Sequence, residues 1–223
     1  MSRTTGAPPR RGARVDVRRL VRDLVPQRPR FLRGPRIEDG VRSPVIRTER
    51  LTLRPHRMAD AAAWYELQSD PDVVEHLAWP LRGRAESFVH LLNRTRHTRL
   101  EQRDDFLALA VVLDGELIGD ASLHLRELEP ERRRCDVGWV IGPRWQGRGY
   151  AREAGLAMLE LAFDTLGAAT VQAHMAPANR ASLALAERLG FSEGEPSGGD
   201  RVMVLDRARY RSLHDGDETA ATS

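Results

Sequence analysis

The sequence contains no lysine: all 35 basic residues among its 223 are arginine. That excludes a P-loop, whose phosphate-binding turn ends in Gly-Lys followed by Ser or Thr. It has a single cysteine, Cys135, which rules out an intrachain disulfide framework and fits a reducing, cytoplasmic compartment. Set in a stretch with strand alternation, Cys135 reads as a small buried core residue rather than a nucleophile. Long apolar runs are absent too. The longest, Phe106–Leu113, is far shorter than the roughly 20 residues a membrane-spanning helix needs. The N-terminus is basic but has no apolar segment of the kind a secretory signal carries. No group of His, Cys, Asp and Glu shows metal-ligand spacing, so no metal is expected. No Cys/His or Ser/His/Asp grouping is identifiable either.

What is present fits one globular domain with appendages, at 41% hydrophobic and 30% charged residues. The formal net charge of +3 conceals an asymmetry. Residues 1–44 hold twelve arginines against Asp16, Asp23, Glu38 and Asp39, a net of +8, so residues 45–223 carry −5. The first stretch is also rich in Pro and Gly, apart from a possible short helix over residues 15–25. We therefore expect three parts: a disordered basic arm (1–44), a folded domain (45–214) and a polar tail (215–223). The arm suits weak contact with RNA or another anionic surface, although Phe31 is the only aromatic available for base stacking.

Within the domain, Thr48 to Pro55 contains a strand, and Asp60 offers an N-cap for a helix bearing Ala63, Trp64 and Leu67. Asp70-Pro71-Asp72 begins a second helix, with Val73, Val74 and Leu77 on its apolar side. Residues 84–100 form an amphipathic helix with Phe88, Leu91, Leu92 and Thr95 on one face. Phe106–Leu113, closed by Asp114-Gly115, predicts a strand covered on both faces and a type I′ hairpin. The return strand alternates Leu117, Gly119, Ala121, Leu123 and Leu125 with Asp120, Ser122, His124 and Arg126. Later, Leu156, Leu159, Phe163 and Leu166 mark a core-facing helix that ends at Gly167. Residues 169–175 read as a strand, Asn179 starts a helix that stops at Gly190-Phe191, and Arg201–Asp206 is a final strand.

The chain is organised around residues 134–151. Val137, Trp139 and Ile141 alternate with Asp136, Gly138 and Val140 as a strand, which Gly142-Pro143 breaks. Gly147 and Gly149 then permit a tight turn whose N–H groups converge at the start of a helix, a cradle for an anion such as a pyrophosphate. A dinucleotide fingerprint would need a third glycine where Arg152 stands.

The remaining possibility, Arg144-x-x-Gly147-x-Gly149 followed by Tyr150-Ala151, resembles the acetyl-CoA loop of the GNAT superfamily of N-acetyltransferases. Two further motifs resemble its branch that acetylates N-terminal amines of ribosomal proteins. Asn179-x-x-Ser182 followed by Leu189-Gly190-Phe191 is one. The opening Thr48-x-Arg50-Leu51-x-Leu53-Arg54 is the other, and Asp136-Val137-Gly138-Trp139 stands where that branch has Glu-Ile-Gly-Tyr.

The resemblance implies an α/β fold: a mixed, mostly antiparallel sheet with splayed central strands and helices on both faces, covering about residues 46–213. It implies acetyl-CoA as cosubstrate, held along Val140 and Ile141, wrapped at its pyrophosphate by Arg144, Gln146, Gly147, Arg148, Gly149, Tyr150 and Ala151, and contacted by Asn179. It points to Ser182 as proton donor to the leaving thiolate, and to Asp136 as the group that steers or deprotonates the amine, despite a side chain shorter than the usual Glu. His124 is a second candidate base, His76 borders the acceptor cleft, and His174 packs at a strand end. The expected activity is direct acetyl transfer to a protein N-terminal α-amine. Alternatives are a small-molecule amine such as an aminoglycoside or polyamine, or a non-catalytic acetyl-CoA sensor whose arm binds RNA. Monomer and homodimer are both compatible with the sequence.

Overall fold

Strand 106–113 shows how this sequence chooses its layers. In the computed structural model, which describes residues 33–75 and 81–220, every residue from Leu107 to Val112 is buried. Leu107, Leu109 and Val111 enter the larger core, whereas Ala110 and Val112 enter a smaller one with Trp64, Leu67 and Leu91. A strand with both faces covered has no polar side, which is why its sequence is a continuous apolar run. Each fully buried leucine there contributes about 2 kcal/mol.

The strands are β1 (Val41–Arg42), β2 (Ile46–Arg47), β3 (Thr52–Pro55), β4 (Arg99–Leu100), β5 (Phe106–Leu113), β6 (Glu116–Glu127), β7 (Arg134–Ile141), β8 (Thr170–Met175), β9 (Ser192–Glu193) and β10 (Arg201–Asp206). Eight of them form one sheet in the order β2-β3-β5-β6-β7-β8-β10-β9, while β1 pairs with β4. Strands β5, β6 and β7 form an antiparallel meander, and Asp114 and Gly115 turn the first hairpin with φ of 49° and 87°. Among the described residues only β7 and β8 run parallel, and they pair from Arg134–Thr170 to Asp136–Gln172. Beyond Asp136 the two strands are no longer bonded to each other. The sheet opens there.

The smaller core is covered by α1 (Ala61–Ser69), the single turn α2 (Pro71–Val74) and α3 (Arg84–Arg96). The larger core is covered by α4 (Tyr150–Glu160), which runs on into a π-turn over Leu161–Thr165, and by α5 (Arg180–Arg188). A last helix, α6 (Arg207–Ala220), follows β10.

Several expectations change in detail. The face that α3 buries consists of Ser87, Leu91 and Arg94, and Phe88 is 52% exposed. The helix also ends at Arg96, so Arg99 and Leu100 form β4 instead. Asp60 does not cap α1 with its side chain. Its carboxylate accepts the Arg57 N–H at 2.8 Å and binds Arg54 through both guanidinium nitrogens at 2.7 and 2.9 Å. Residues 33–44 are packed on the body rather than loose: Ile37 and Val41 belong to the larger core, and Arg33 bonds Asp105 at 2.7 Å. At the other end α6 continues past His214, where the tail was expected, started by Asp206 accepting the Arg209 N–H. The expected helix over 15–25, together with Phe31, His76 and Leu77, lies outside the described residues.

Candidate active site

Where β7 runs on past its pairing with β8, its end lines a cavity of about 750 Å³. One wall is the end of β7, with Trp139, Val140 and Ile141; the floor is the Gln146–Ala151 loop and the first turn of α4. The start of α5 closes another side with Asn179, Ser182 and Leu185, and α2 contributes Asp72 and Val73.

The loop takes this shape because two glycines adopt left-handed backbone angles, Gly147 at φ 73° and Gly149 at φ 85°. Gly149 is the N-cap of α4, so the free N–H groups of the first turn and the positive end of the helix dipole lie at the cavity floor. Gln146 is turned inward: its Nε2 donates to the Ile141 carbonyl at 2.9 Å and braces the loop against the strand it leaves. On the far side Asn179 caps α5, its Oδ1 accepting the Ser182 N–H at 3.0 Å.

Of the predicted site residues, the cavity wall holds Val140, Ile141, Gln146, Gly147, Gly149, Tyr150, Ala151, Asn179 and Ser182. It does not hold Arg144, Arg148 or Asp136. Arg144 lies over the Trp145 ring, 4.9 Å from its centroid. Arg148 contributes only its backbone carbonyl to a described hydrogen bond, which it accepts from Arg50 at 3.0 Å. Asp136 faces the same side of the sheet as its partner His124, and arginines occupy both carboxylate oxygens: Arg126 Nε at 2.7 Å and Arg134 Nη1 at 3.0 Å. His174 Nε2 stands 3.8 Å from one of them. Periodicity set Asp136 on the strand face opposite Val137 and Ile141 but could not show the two guanidinium groups that hold it there.

Sequence reasoning missed Arg152 and Arg188 on the loop-and-helix wall, and Glu75 beside Asp72 on the opposing segment. A signal existed for Arg152, which stands in the first turn after the glycine loop. Arg188 depends on how α5 is docked and has none. The wall is therefore electrically divided, with arginines and free N–H groups near the loop and carboxylates on the α2 side.

Under α1 and α3, directly behind Val140, lies a buried polar web. Asp120, opposite Val140 in the β6–β7 register, is 4% exposed. It accepts from His56 Nε2 at 2.8 Å and faces Arg94 Nη1 at 3.2 Å. Burial would raise its pKa, but the Arg94 charge and the His56 hydrogen bond outweigh burial and hold it below the usual value. Trp64 is gripped edge-on by His56 and lies against His90 and the Arg94 guanidinium. One strand step away, Phe106 stacks between His97 and His124. Burial, with help from Arg126 and Arg94, pushes His124 down to about 4. Cys135 is fully buried and its thiol is pushed up to about 12, mainly by burial, as expected of an inert core residue.

The chain has counterparts among known proteins. Residues 50–192 match the family model described as the acetyltransferase (GNAT) domain, and the chain belongs to that family as an N-acetyltransferase. It is 27% identical over 149 residues to the uncharacterized N-acetyltransferase p20 of Bacillus licheniformis, covering 66% of this chain and 81% of that protein. It is also 27% identical over 147 residues to the spermidine N(1)-acetyltransferase of Escherichia coli (strain K12), covering 64% of this chain and 74% of that one. The solved acetyltransferase from Agrobacterium tumefaciens str. C58 superposes with a TM-score of 0.58 at 31% identity, over 74% of this chain and 95% of that structure.

Proposed function

We propose that this N-acetyltransferase takes its acetyl group from acetyl-CoA in the β7–β8 cavity and passes it directly to a protein N-terminal α-amine. The observation that carries the first half is the floor of the cavity. Two left-handed glycines present N–H groups at a helix N-terminus, next to a strand end that has no strand partner on the β8 side. The former suits a pyrophosphate and the latter the amides of a pantetheine arm, while Trp139, Val140, Ile141 and Leu185 supply apolar contact.

Acetyl-CoA supplies the acyl group as an activated thioester. The neutral amine nitrogen bonds to the carbonyl carbon, the carbon–sulfur bond breaks, the nitrogen sheds one proton to water, and the thiolate takes one up. In this reading a backbone N–H near Val140 faces the developing oxyanion, and Ser182, on the wall across the cavity, gives the proton to sulfur, directly or through water. Asp136 keeps a supporting role: with both oxygens engaged by arginines, it fixes the charge behind the acceptor face instead of taking the proton itself.

The protein N-terminal acceptor is favoured by the resemblance of the 48–54 and 179–191 motifs to the ribosomal-protein branch. A second reading, a polyamine acceptor, is favoured by Asp72 and Glu75 on the cavity wall and by the spermidine-acetylating relative. Product mass spectrometry on an equimolar mixture of N-terminal peptides and polyamines separates them. Acetylated peptide α-amines support the first reading, and acetylated polyamine alone overturns it in favour of the second.

A further inference from the structure

Arg50, on the turn between β2 and β3, lies far in sequence from the glycine loop yet holds it from outside. The turn is tied by Thr48, whose Oγ accepts the Leu51 N–H at 3.1 Å and whose own hydroxyl donates to Glu153 at 2.6 Å. Glu153, in the first turn of α4, also accepts the Arg50 backbone N–H at 2.8 Å and Nε at 2.7 Å, and Nη2 of Arg50 lies 2.7 Å from it. The remaining arm of the same guanidinium, Nη1, donates to the Arg148 carbonyl at 3.0 Å. The plane of the group lies over the Tyr150 ring, 4.8 Å from its centroid.

One planar cation thus grips the peptide before Gly149 and the carboxylate after it, spanning the left-handed joint on which the cradle depends. A β-carbon at Gly149 would come within 3.3 Å of Nη2, so the clamp is in direct reach of that joint. There is also an electrostatic reason for it. Glu153 is only 12% exposed and sits at a helix start where an anionic ligand would be bound. Burial raises its pKa, but hydrogen bonds from Thr48 and Arg50 and the charge of Arg50 outweigh burial and keep it ionised. Without Arg50 that carboxylate would stand uncompensated in the helix turn that follows the loop. A lysine could neutralise Glu153 but could not fork to both partners.

We infer that Arg50, with Glu153 and Thr48, is the positioning clamp of the pyrophosphate loop, setting affinity for the phosphate-bearing half of the cosubstrate without touching the reacting atoms. The inference rests on the acetyl-CoA reading of the cavity. Its test compares acetyl-CoA with S-acetylpantetheine, which carries the same thioester and arm but no pyrophosphate. In Arg50→Ala we expect the Kd for acetyl-CoA to rise roughly tenfold and its kcat to stay within about twofold. The kcat/KM for S-acetylpantetheine should also stay within about twofold. Arg50→Lys should recover only part of the loss. The double variant Arg50→Ala/Glu153→Gln should bind acetyl-CoA better than Arg50→Ala alone, because the uncompensated carboxylate is gone. Equal losses on both thioesters, or no loss on acetyl-CoA, would overturn the clamp. A parent protein that binds no acetyl-CoA would overturn the cavity reading itself, and the clamp with it.

Discussion

Replacing Asp120 by alanine removes a carboxylate that touches both His56 and Arg94 beneath α1 and α3. The side chains of Arg94 and His56 are 9% and 0% exposed, so neither can turn to water without disturbing α3 or β3. Deleting one partner of a buried pair while its charge partner stays buried costs about 3–5 kcal/mol. For a domain of this size each kcal/mol lowers Tm by about 2–4 °C, so the variant should melt roughly 10 °C below the parent. Thermal melts and urea titrations at pH 7.5 read this directly. The double variant Asp120→Leu/Arg94→Met should regain at least half of the loss, because an apolar pair of similar volume needs no charge compensation. An Asp120→Ala variant within about 1 kcal/mol of the parent would refute the reasoning, as would a double variant no better than the single one.

Three further outcomes follow from the same geometry. His90, His97 and His124 are all pushed below the ordinary value of 6.5, chiefly by burial, His124 to about 4. Above pH 6.5 their stabilising neutral forms cost nothing; as pH falls from 6.5 to 4 the unfolded chain takes up protons that the folded chain refuses. His124 alone should cost about 3 kcal/mol by pH 4, and His124→Gln should flatten that part of a urea-midpoint-versus-pH profile. Gly147→Ala should lose about 1–2 kcal/mol from its left-handed backbone, and Gly149→Ala more, since its methyl also reaches Arg50, a difference that urea midpoints resolve. Ser182→Ala should lower kcat by about 100-fold or more while the acetyl-CoA Kd stays within about twofold; Asn179→Ala should instead cost about 1 kcal/mol of stability through the lost cap. Stopped-time thiol release and calorimetry distinguish the two.

Local chemistry made most of the architecture readable. Asp114-Gly115, Gly147, Gly149, Gly167 and Gly190 all adopt the positive φ expected of a turn or stop, and Asp70 and Asn179 both cap as expected. The apolar run at 106–113 declared a doubly covered strand. What stayed hidden was paired charge. Arginines read as surface residues by composition, yet Arg94 enters the core because Asp120 waits opposite. Arg50 looked like one letter of a strand motif until Glu153, about a hundred residues later, came into contact. The same limit explains Phe88 and Leu91: a helical stripe reports a face, and only the docking of α3 decides which edge of it is buried. At the site, glycines and caps were legible because they answer to their own backbone. Asp136 and Arg188 depend on neighbours that no local pattern names.

In the proposed reaction the cavity at the end of β7 binds acetyl-CoA and the acetyl group passes to an amine. Free-thiol release from acetyl-CoA, run with and without an N-terminal peptide panel beside a thermal-shift titration, tests it most directly. Acetyl-CoA at one hundred times its Kd should stabilise the protein by about 2.7 kcal/mol, and thiol release should require the acceptor. A protein whose melting is unmoved by saturating acetyl-CoA, and which releases no thiol with any amine, would contradict it.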